Sequence, residues 1–241
     1  RALGDGEPKY LNSPETPFFT KGHNLYSLDR ASNSINKADK IIVVEGYTDV
    51  ISLYQAGYKN CVAPLGTALT ENQVRLLWRW TSEPILCFDG DTAGQRAAGR
   101  AATNILPHLK PEQSLSFVLL PEGEDPDNLI KTQGVNAIKS LINVAEPLSE
   151  ILWRISKKGY RLDTPEDRAG FDKRLRVMAL LIEDKSVQKY YLDSFKQRLW
   201  EEFARSKKPG QYYKKAGISL PIKNSTTSGT IDVNLIQQAI L

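Results

Sequence analysis

The sequence predicts an α/β fold, a mostly parallel sheet flanked by helices and followed by a small three-helix domain. Two observations carry this. Four short apolar, β-branched-rich runs alternate with stretches of helical period between residues 40 and 134. After Pro147 the strand-like runs cease and only helical patterning remains. Alternating β and α units give a sheet covered on both faces, since each crossover helix must pack back onto it.

Taken in order, residues 1–38 are rich in Gly, Pro, Asn and Ser without sustained periodicity, and are expected to be extended and looped. The run 41–44 is continuously apolar, as in a strand buried on both faces. Val50, Leu53 and Tyr54 recur at helical spacing until Gly57. A second strand is expected over 61–65, and Thr70 with Gln73 forms a capping box ahead of a helix over 74–80. A third strand over 85–88, a long Ala-rich helix over 93–109 and a fourth strand over 115–120 follow. Asp125 before Pro126 reads as an N-cap with proline in the first turn, and Gly134 as the end of that helix. Three further helices are expected over 147–158, 165–184 and 187–205, the second capped by Thr164 and the third by Ser186. The segment 207–215 is basic with two tyrosines, and 216–230 is Ser/Thr/Gly-rich, as in a linker.

Composition narrows the classes. At 241 residues and 41% hydrophobic, the chain can bury a substantial core. No run approaches the roughly 20 apolar residues of a membrane span, and no signal pattern leads the chain. An opening on Arg1 rather than Met is what a segment of a longer cytoplasmic protein would show. Cys61 and Cys87 both fall in apolar runs and read as inert core thiols. The net charge of +4 is uneven: residues 1–149 carry 14 Lys/Arg against 17 Asp/Glu, and residues 150–215 carry 17 against 10. An acidic first half and a basic second half suit a cation site beside a polyanion-binding surface, although solvated helix faces explain the basic half equally well.

The placement of the carboxylates carries the functional reading. Glu45 ends the first strand, Asp89 and Asp91 end the third, and Asp125 and Asp127 follow the fourth. Open parallel sheets bind ligands at the carboxyl ends of their strands, so these acids should share one crevice. Crowded like charges repel unless cations neutralise them, and hard divalent cations with oxygen ligands, Mg²⁺ above all, do so beside phosphates. Individually, Asp89 before Gly90 reads as a turn, Asp125 as a helix cap and Glu45 as a surface charge; the equivalence of their positions favours a metal site. Asp49, one turn after Glu45, is either a supporting ligand or a charge favoured near a helix N-terminus.

Three segments make the pattern specific: Val44-Glu45-Gly46-Tyr47-Thr48-Asp49-Val50, Phe88-Asp89-Gly90-Asp91-Thr92-Ala93-Gly94, and Leu120-Pro121-Glu122-Gly123-Glu124-Asp125-Pro126-Asp127. They resemble the successive motifs of the Toprim domain in DnaG-type bacterial primases. Toprim domains also occur in topoisomerases, recombination proteins and nucleases, and the Gly-Tyr-x-Asp and Gly-Glu-Asp-Pro-Asp extensions point to primases. Upstream, the stretch 8–16 with Lys21-Gly22, and downstream Thr164-Pro165-Glu166-Asp167-Arg168, resemble other parts of the primase RNA-polymerase domain; the likeness covers roughly residues 1–205.

This resemblance implies short RNA primers made on single-stranded DNA from nucleoside triphosphates. It implies Mg²⁺ (or Mn²⁺) at Glu45, Asp89, Asp91, Asp125 and Asp127 with Asp49 supporting, and Glu45 as proton acceptor or as ligand only. Arg1, Lys9, Tyr10, Asn12 and Lys21 match nucleotide-contacting positions. His23 departs from the arginine many relatives carry, which puts its contact in doubt. The implied divisions are a rear part of the N-terminal polymerase subdomain (1–38), a Toprim domain (39–146), a helical subdomain (147–206) and a linker (207–241). Zinc and the replicative helicase are expected to engage modules outside this chain, and the chain itself is expected to be a monomer without membrane contact. Strand cleavage by a nuclease or topoisomerase, and a non-enzymatic nucleic-acid-binding module, are the competing readings.

Overall fold

The computed structural model describes residues 15–17, 19–34, 40–66, 68–159 and 162–205. Arg1, Lys9, Tyr10, Asn12 and the segment 207–241 lie outside the described residues. Six strands form one sheet: β1 (Leu25–Tyr26), β2 (Ile42–Val43), β3 (Cys61–Pro64), β4 (Ile85–Phe88), β5 (Ser116–Leu119) and β6 (Glu146–Pro147), in the order β1-β3-β2-β4-β5-β6. The inner four are parallel, and β1 and β6 close the edges antiparallel on β3 and β5.

The continuous apolar runs are explained by burial on both faces. Ile42, Val44, Ile85, Cys87, Val118 and Leu120 join the core beneath one face, together with Val50 and Leu53. Their neighbours Ile41, Val43, Leu86 and Phe117 are also buried, and side chains alternate across a strand, so they serve the opposite face. Right-handed crossovers place α2 (Tyr47–Gln55) on one face and α3 (Glu71–Leu77) with α4 (Thr92–Asn104) on the other, because the chain reverses direction across the sheet after β3. α2 packs against α5 (Pro126–Gln133), which packs against α6 (Val135–Asn143). On the far side α4 meets α7 (Leu148–Lys157), which in turn holds α8 (Pro165–Leu180). Trp153 of α7 meets Phe171 edge-on with centroids 5.0 Å apart, and the Arg198 guanidinium of α9 (Lys185–Arg205) stands 4.3 Å from its ring. The compact unit ends at Trp200; of the second unit, 201–205 is helical.

Several expectations are corrected. The stretch 1–38 is not all loop: it holds β1 and the helix α1 (Leu28–Ser34). The helix α6 and the edge strand β6 were not anticipated, because a nine-residue helix after Gly134 and a two-residue strand offer little periodicity to read. The Ala-rich helix stops at Asn104 and gives way to a 3-10 turn over Leu106–His108, since Pro107 cannot continue the backbone ladder. The last helix is capped by Asp184 rather than Ser186; Asp184 Oδ1 accepts from the N–H groups of Ser186 and Val187 at 3.0 and 2.9 Å. Thr70, Asp125 and Thr164 cap their helices as expected.

Candidate metal centre

The sheet has its switch point between β2 and β4: the chain leaves β2 toward β3 on one side, and β4 toward β5 on the other. A crevice forms outside the strand ends there. Glu45 follows β2 and Asp89 follows β4, so the crevice is acidic. The backbone N–H of Asp89 donates to Glu45 Oε1 at 3.2 Å, joining the two strand ends directly.

The loop after β4 is seated by close approach rather than by a turn preference. A Cβ on Gly90 would stand 1.7 Å from the Pro121 carbonyl oxygen, and one on Gly94 2.3 Å from that of Asp89. Gly90 N–H donates to Glu124 O at 3.0 Å, so the loops after β4 and β5 are one assembly. Asp91 caps α4 by accepting from Gly94 N–H at 2.6 Å, and Asp125 caps α5 by accepting from Asn128 N–H at 2.7 Å. Both are exposed at this edge, as is Glu45. A cleft of about 410 Å³ opens beside Glu45, with Phe88, Arg100 and Asn104 among its walls.

Electrostatics single out two of the acids. Burial, then the negative charges of Glu45, Asp49, Asp125 and Asp91, push the Asp89 carboxyl up to about 7. Asp89 Oδ1 is buried without a hydrogen-bond partner, a costly arrangement for a group that a bound cation would satisfy. Asp49 is 8% exposed; burial raises it to about 6, a hydrogen bond from Gly46 N–H opposes the shift, and Asp125, Asp127 and Glu45 add to it. Asp127 differs. Its two oxygens accept from Ser52 and from Lys131 Nζ, and these partners hold it below the ordinary carboxylate range. Glu45, Asp49, Asp91 and Asp125 therefore act directly on Asp89, and Asp127 acts on Asp49 from the rim, where its own charge is matched by Lys131.

Among the described residues no three His, Cys, Asp or Glu side chains are arranged to hold a metal ion between them. The donor set suits an ion that takes one or two carboxylates and completes its shell with water and phosphate oxygens, which is the habit of Mg²⁺.

The comparisons decide the family. A Toprim domain model matches residues 39–116, and a model of the DNA primase catalytic core N-terminal domain matches residues 1–32. The DNA primase of Rickettsia bellii (strain RML369-C) is 43% identical over 201 residues, 83% of this chain and 34% of the relative. The chain belongs to the DnaG-type primase catalytic-core family. Among solved structures it is similar to a DNA primase domain from Pseudomonas aeruginosa, with a TM-score of 0.76 and 41% identity over 83% of this chain and 62% of that one. It is also similar to a DnaG primase catalytic domain bound to single-stranded DNA, with a TM-score of 0.73 and 38% identity over 83% and 64%. The chain spans about a third of the length of the curated relatives it matches.

Lys21 of this DnaG-type core lies in a 3-10 turn, Lys21–His23, that immediately precedes β1. Leu25 pairs with Pro64 at the carboxyl end of β3, so the turn stands at the acids' edge of the sheet. His23 is engaged by Asn72 Nδ2 at 2.8 Å through its Nε2, which docks it on α3. Sequence reasoning missed Ser52 and Lys131 as partners of Asp127; the i,i+4 spacing to Lys131 within α5 was the available signal, whereas Ser52 becomes a partner only because α2 and α5 touch.

Proposed function

We propose that this chain is the metal-binding catalytic part of a primase that joins ribonucleotides on a single-stranded DNA template. The carrying observation is the buried, unpartnered Asp89 Oδ1 inside an acidic field at the sheet's switch point. A carboxylate in that position gains most from a bound divalent cation, Mg²⁺ with Mn²⁺ as substitute, and Glu45, Asp91, Asp125 and Asp49 are the neighbours that would share its charge. Asp127 would join them once released from Lys131.

In the reaction a primer 3′-hydroxyl attacks the α-phosphate of the next nucleoside triphosphate, and pyrophosphate leaves with the bonding electrons. Bound cations would supply charge stabilisation of the triphosphate and acidify the attacking hydroxyl. Glu45, exposed at the crevice beside Asp89 N–H, would take the hydroxyl proton or act only as a ligand. The helix caps made by Asp91 and Asp125 keep those carboxylates at strand ends instead of letting them swing into solvent. Lys21, with Arg1, Lys9, Tyr10 and Asn12, would meet the nucleotide, its ammonium contributing charge-assisted contacts to phosphate. The related catalytic domain bound to single-stranded DNA supports a DNA template here. A zinc module and a helicase-binding module would act from outside this chain, whose own segments would be 1–38, 39–146, 147–206 and 207–241.

Strand cleavage through a tyrosine is the weaker reading. Tyr191 is half-buried in α9, its hydroxyl pushed up to about 12 by loss of solvent, with its ring 5.8 Å from that of Phe195. The test is a Mn²⁺ soak located by anomalous scattering, paired with primer synthesis on a labelled template. Anomalous density among the strand-end acids with primer formation is the expected result. Template cleavage in place of primer formation, or density elsewhere, overturns the proposal.

A further inference from the structure

The first turn of α3 grips the chain segment just before β1. Gln73 is fully buried, and three of the four hydrogen bonds its amide can form are made, both donors among them. Its Oε1 accepts from Thr70 N–H at 2.9 Å, while Nε2 donates to Lys21 O at 3.0 Å and to Asn24 O at 2.7 Å. The two carbonyls fix which end of the amide is nitrogen. Thr70 adds a bond from Oγ1 to Gly22 O at 2.5 Å while the same oxygen accepts from Gln73 N–H at 3.2 Å. A Cβ on Gly22 would stand 3.3 Å from Thr70 Cγ2, so the turn rests directly on the threonine. Asn72 holds His23. Each residue from Lys21 to Asn24 is therefore touched by the opening turn of α3.

A helix cap needs only the bonds within 70–73. The two amide hydrogens given to Lys21 and Asn24 do nothing for α3; they fix a turn 52 and 49 residues away in sequence. β1 is two residues long and cannot set the path of the chain entering it unaided.

We infer that Gln73, assisted by Thr70, is a positioning residue for nucleotide binding: it fixes the backbone from which Lys21 projects at the acids' edge of the sheet. The role rests on the proposed nucleotide contact of Lys21. Without the clamp, Lys21 would sample several positions, and ordering it would weaken triphosphate binding while leaving the chemical step intact.

Gln73→Glu separates the two duties of the side chain. A glutamate at this helix position still accepts from Thr70 N–H, as in ordinary capping boxes, but an ionised one has no hydrogen to give Lys21 O or Asn24 O. The experiment uses the full-length protein, with ATP and Mg²⁺ in a primer-extension assay, for wild type, Gln73→Glu, Lys21→Ala and the double variant. The expected result is a KM for ATP raised about tenfold by Gln73→Glu, the scale of one or two lost hydrogen bonds, with kcat within about twofold. In the Lys21→Ala background the same change should alter KM by less than about twofold, because contacts acting through one group are not additive. Equal losses in both backgrounds, or a wild-type KM in Gln73→Glu, overturn the positioning role alone. A Lys21→Ala enzyme with wild-type KM overturns it together with the nucleotide contact of Lys21. If Gln73→Glu does not fold, Thr70→Val against Thr70→Ser serves: valine should raise KM and serine, which keeps the hydroxyl, should not; equal KM values overturn the proposal.

Discussion

Asp89 N–H and Glu45 Oε1 are 3.2 Å apart, so the acid that ends one strand is oriented by the backbone of the acid that ends its neighbour. The bond holds the Glu45 carboxylate over the switch point and raises the electrostatic cost of ionising Asp89, whose second-largest perturbation is that carboxylate. The pair is thus arranged to be uncomfortable alone and satisfied by a cation.

Asp89→Asn keeps the shape of the side chain and removes its charge. Primer synthesis by the full-length protein should fall by about a hundredfold or more, the loss usual when a group stabilising transition-state charge is removed. Asp91 needs the same conservative change: Asp91→Ala would also cost about 1 kcal/mol of helix capping at α4. Turnover at wild-type rates in either asparagine variant, at ordinary Mg²⁺, would remove these residues from the metal site.

The raised Asp89 carboxyl sets a pH dependence. Its folded value of about 7 lies above the unfolded 3.8, so the folded state holds the extra proton between them. Stability should therefore fall as pH rises through this window and level off above it. Asp49, at about 6, acts in the same direction. The lowered Glu83 and Asp127 act oppositely, and only below their ordinary values of 4.5 and 3.8. Melting in EDTA should give a lower Tm at pH 8 than at pH 5.5, with a smaller difference in Asp89→Asn. Saturating Mg²⁺ should restore Tm at pH 8 in wild type. A pH-independent Tm, identical in the two proteins, would contradict the field described here.

Gly90 is required by space. Gly90→Ala would set a methyl group against the Pro121 carbonyl, where neither backbone can yield, and should cost about 3 kcal/mol in urea unfolding. Gly99→Ala is the control. Its Cβ would meet only Ile155 Cγ2 at 3.7 Å in mid-helix, and it should be neutral or stabilise by about 0.5–1 kcal/mol.

The basic surplus of residues 150–215 gives a binding prediction. Lys158, Arg174 and Lys189 lie on or just beyond α7, α8 and α9, and Lys157 and Arg161 are near them in sequence. Arg176 is paired with Asp172 at 2.9 Å and Arg198 with Glu150. Replacing Lys158, Arg174 and Lys189 with glutamine should weaken single-stranded DNA binding and flatten its log–log salt slope by about two units, at about 0.7 per phosphate. An unchanged slope would make these helices structural or a partner surface.

The sequence by itself determined the four inner strands, most caps and the family. A strand buried on both faces must be continuously apolar, and a capping box or an Asp-Pro start is a local signal, so 41–44, 85–88, Thr70 and Asp125 could be read without coordinates. Acid placement at strand ends was legible for the same reason. What depended on partners distant in the chain was not. The edge strands β1 and β6 exist only because β3 and β5 offer them hydrogen bonds. Asp125 and Asp127 follow the same strand, yet one caps a helix at the crevice and the other is paired with Lys131 on its own helix and accepts from Ser52, the second contact existing only because α2 packs on α5. Gln73 read as a cap, and only the fold brought Lys21 and Asn24 within reach of its remaining hydrogens. Local patterning is set by short-range sterics and burial; the charge state and the partners of a side chain are set by whatever the tertiary fold brings beside it.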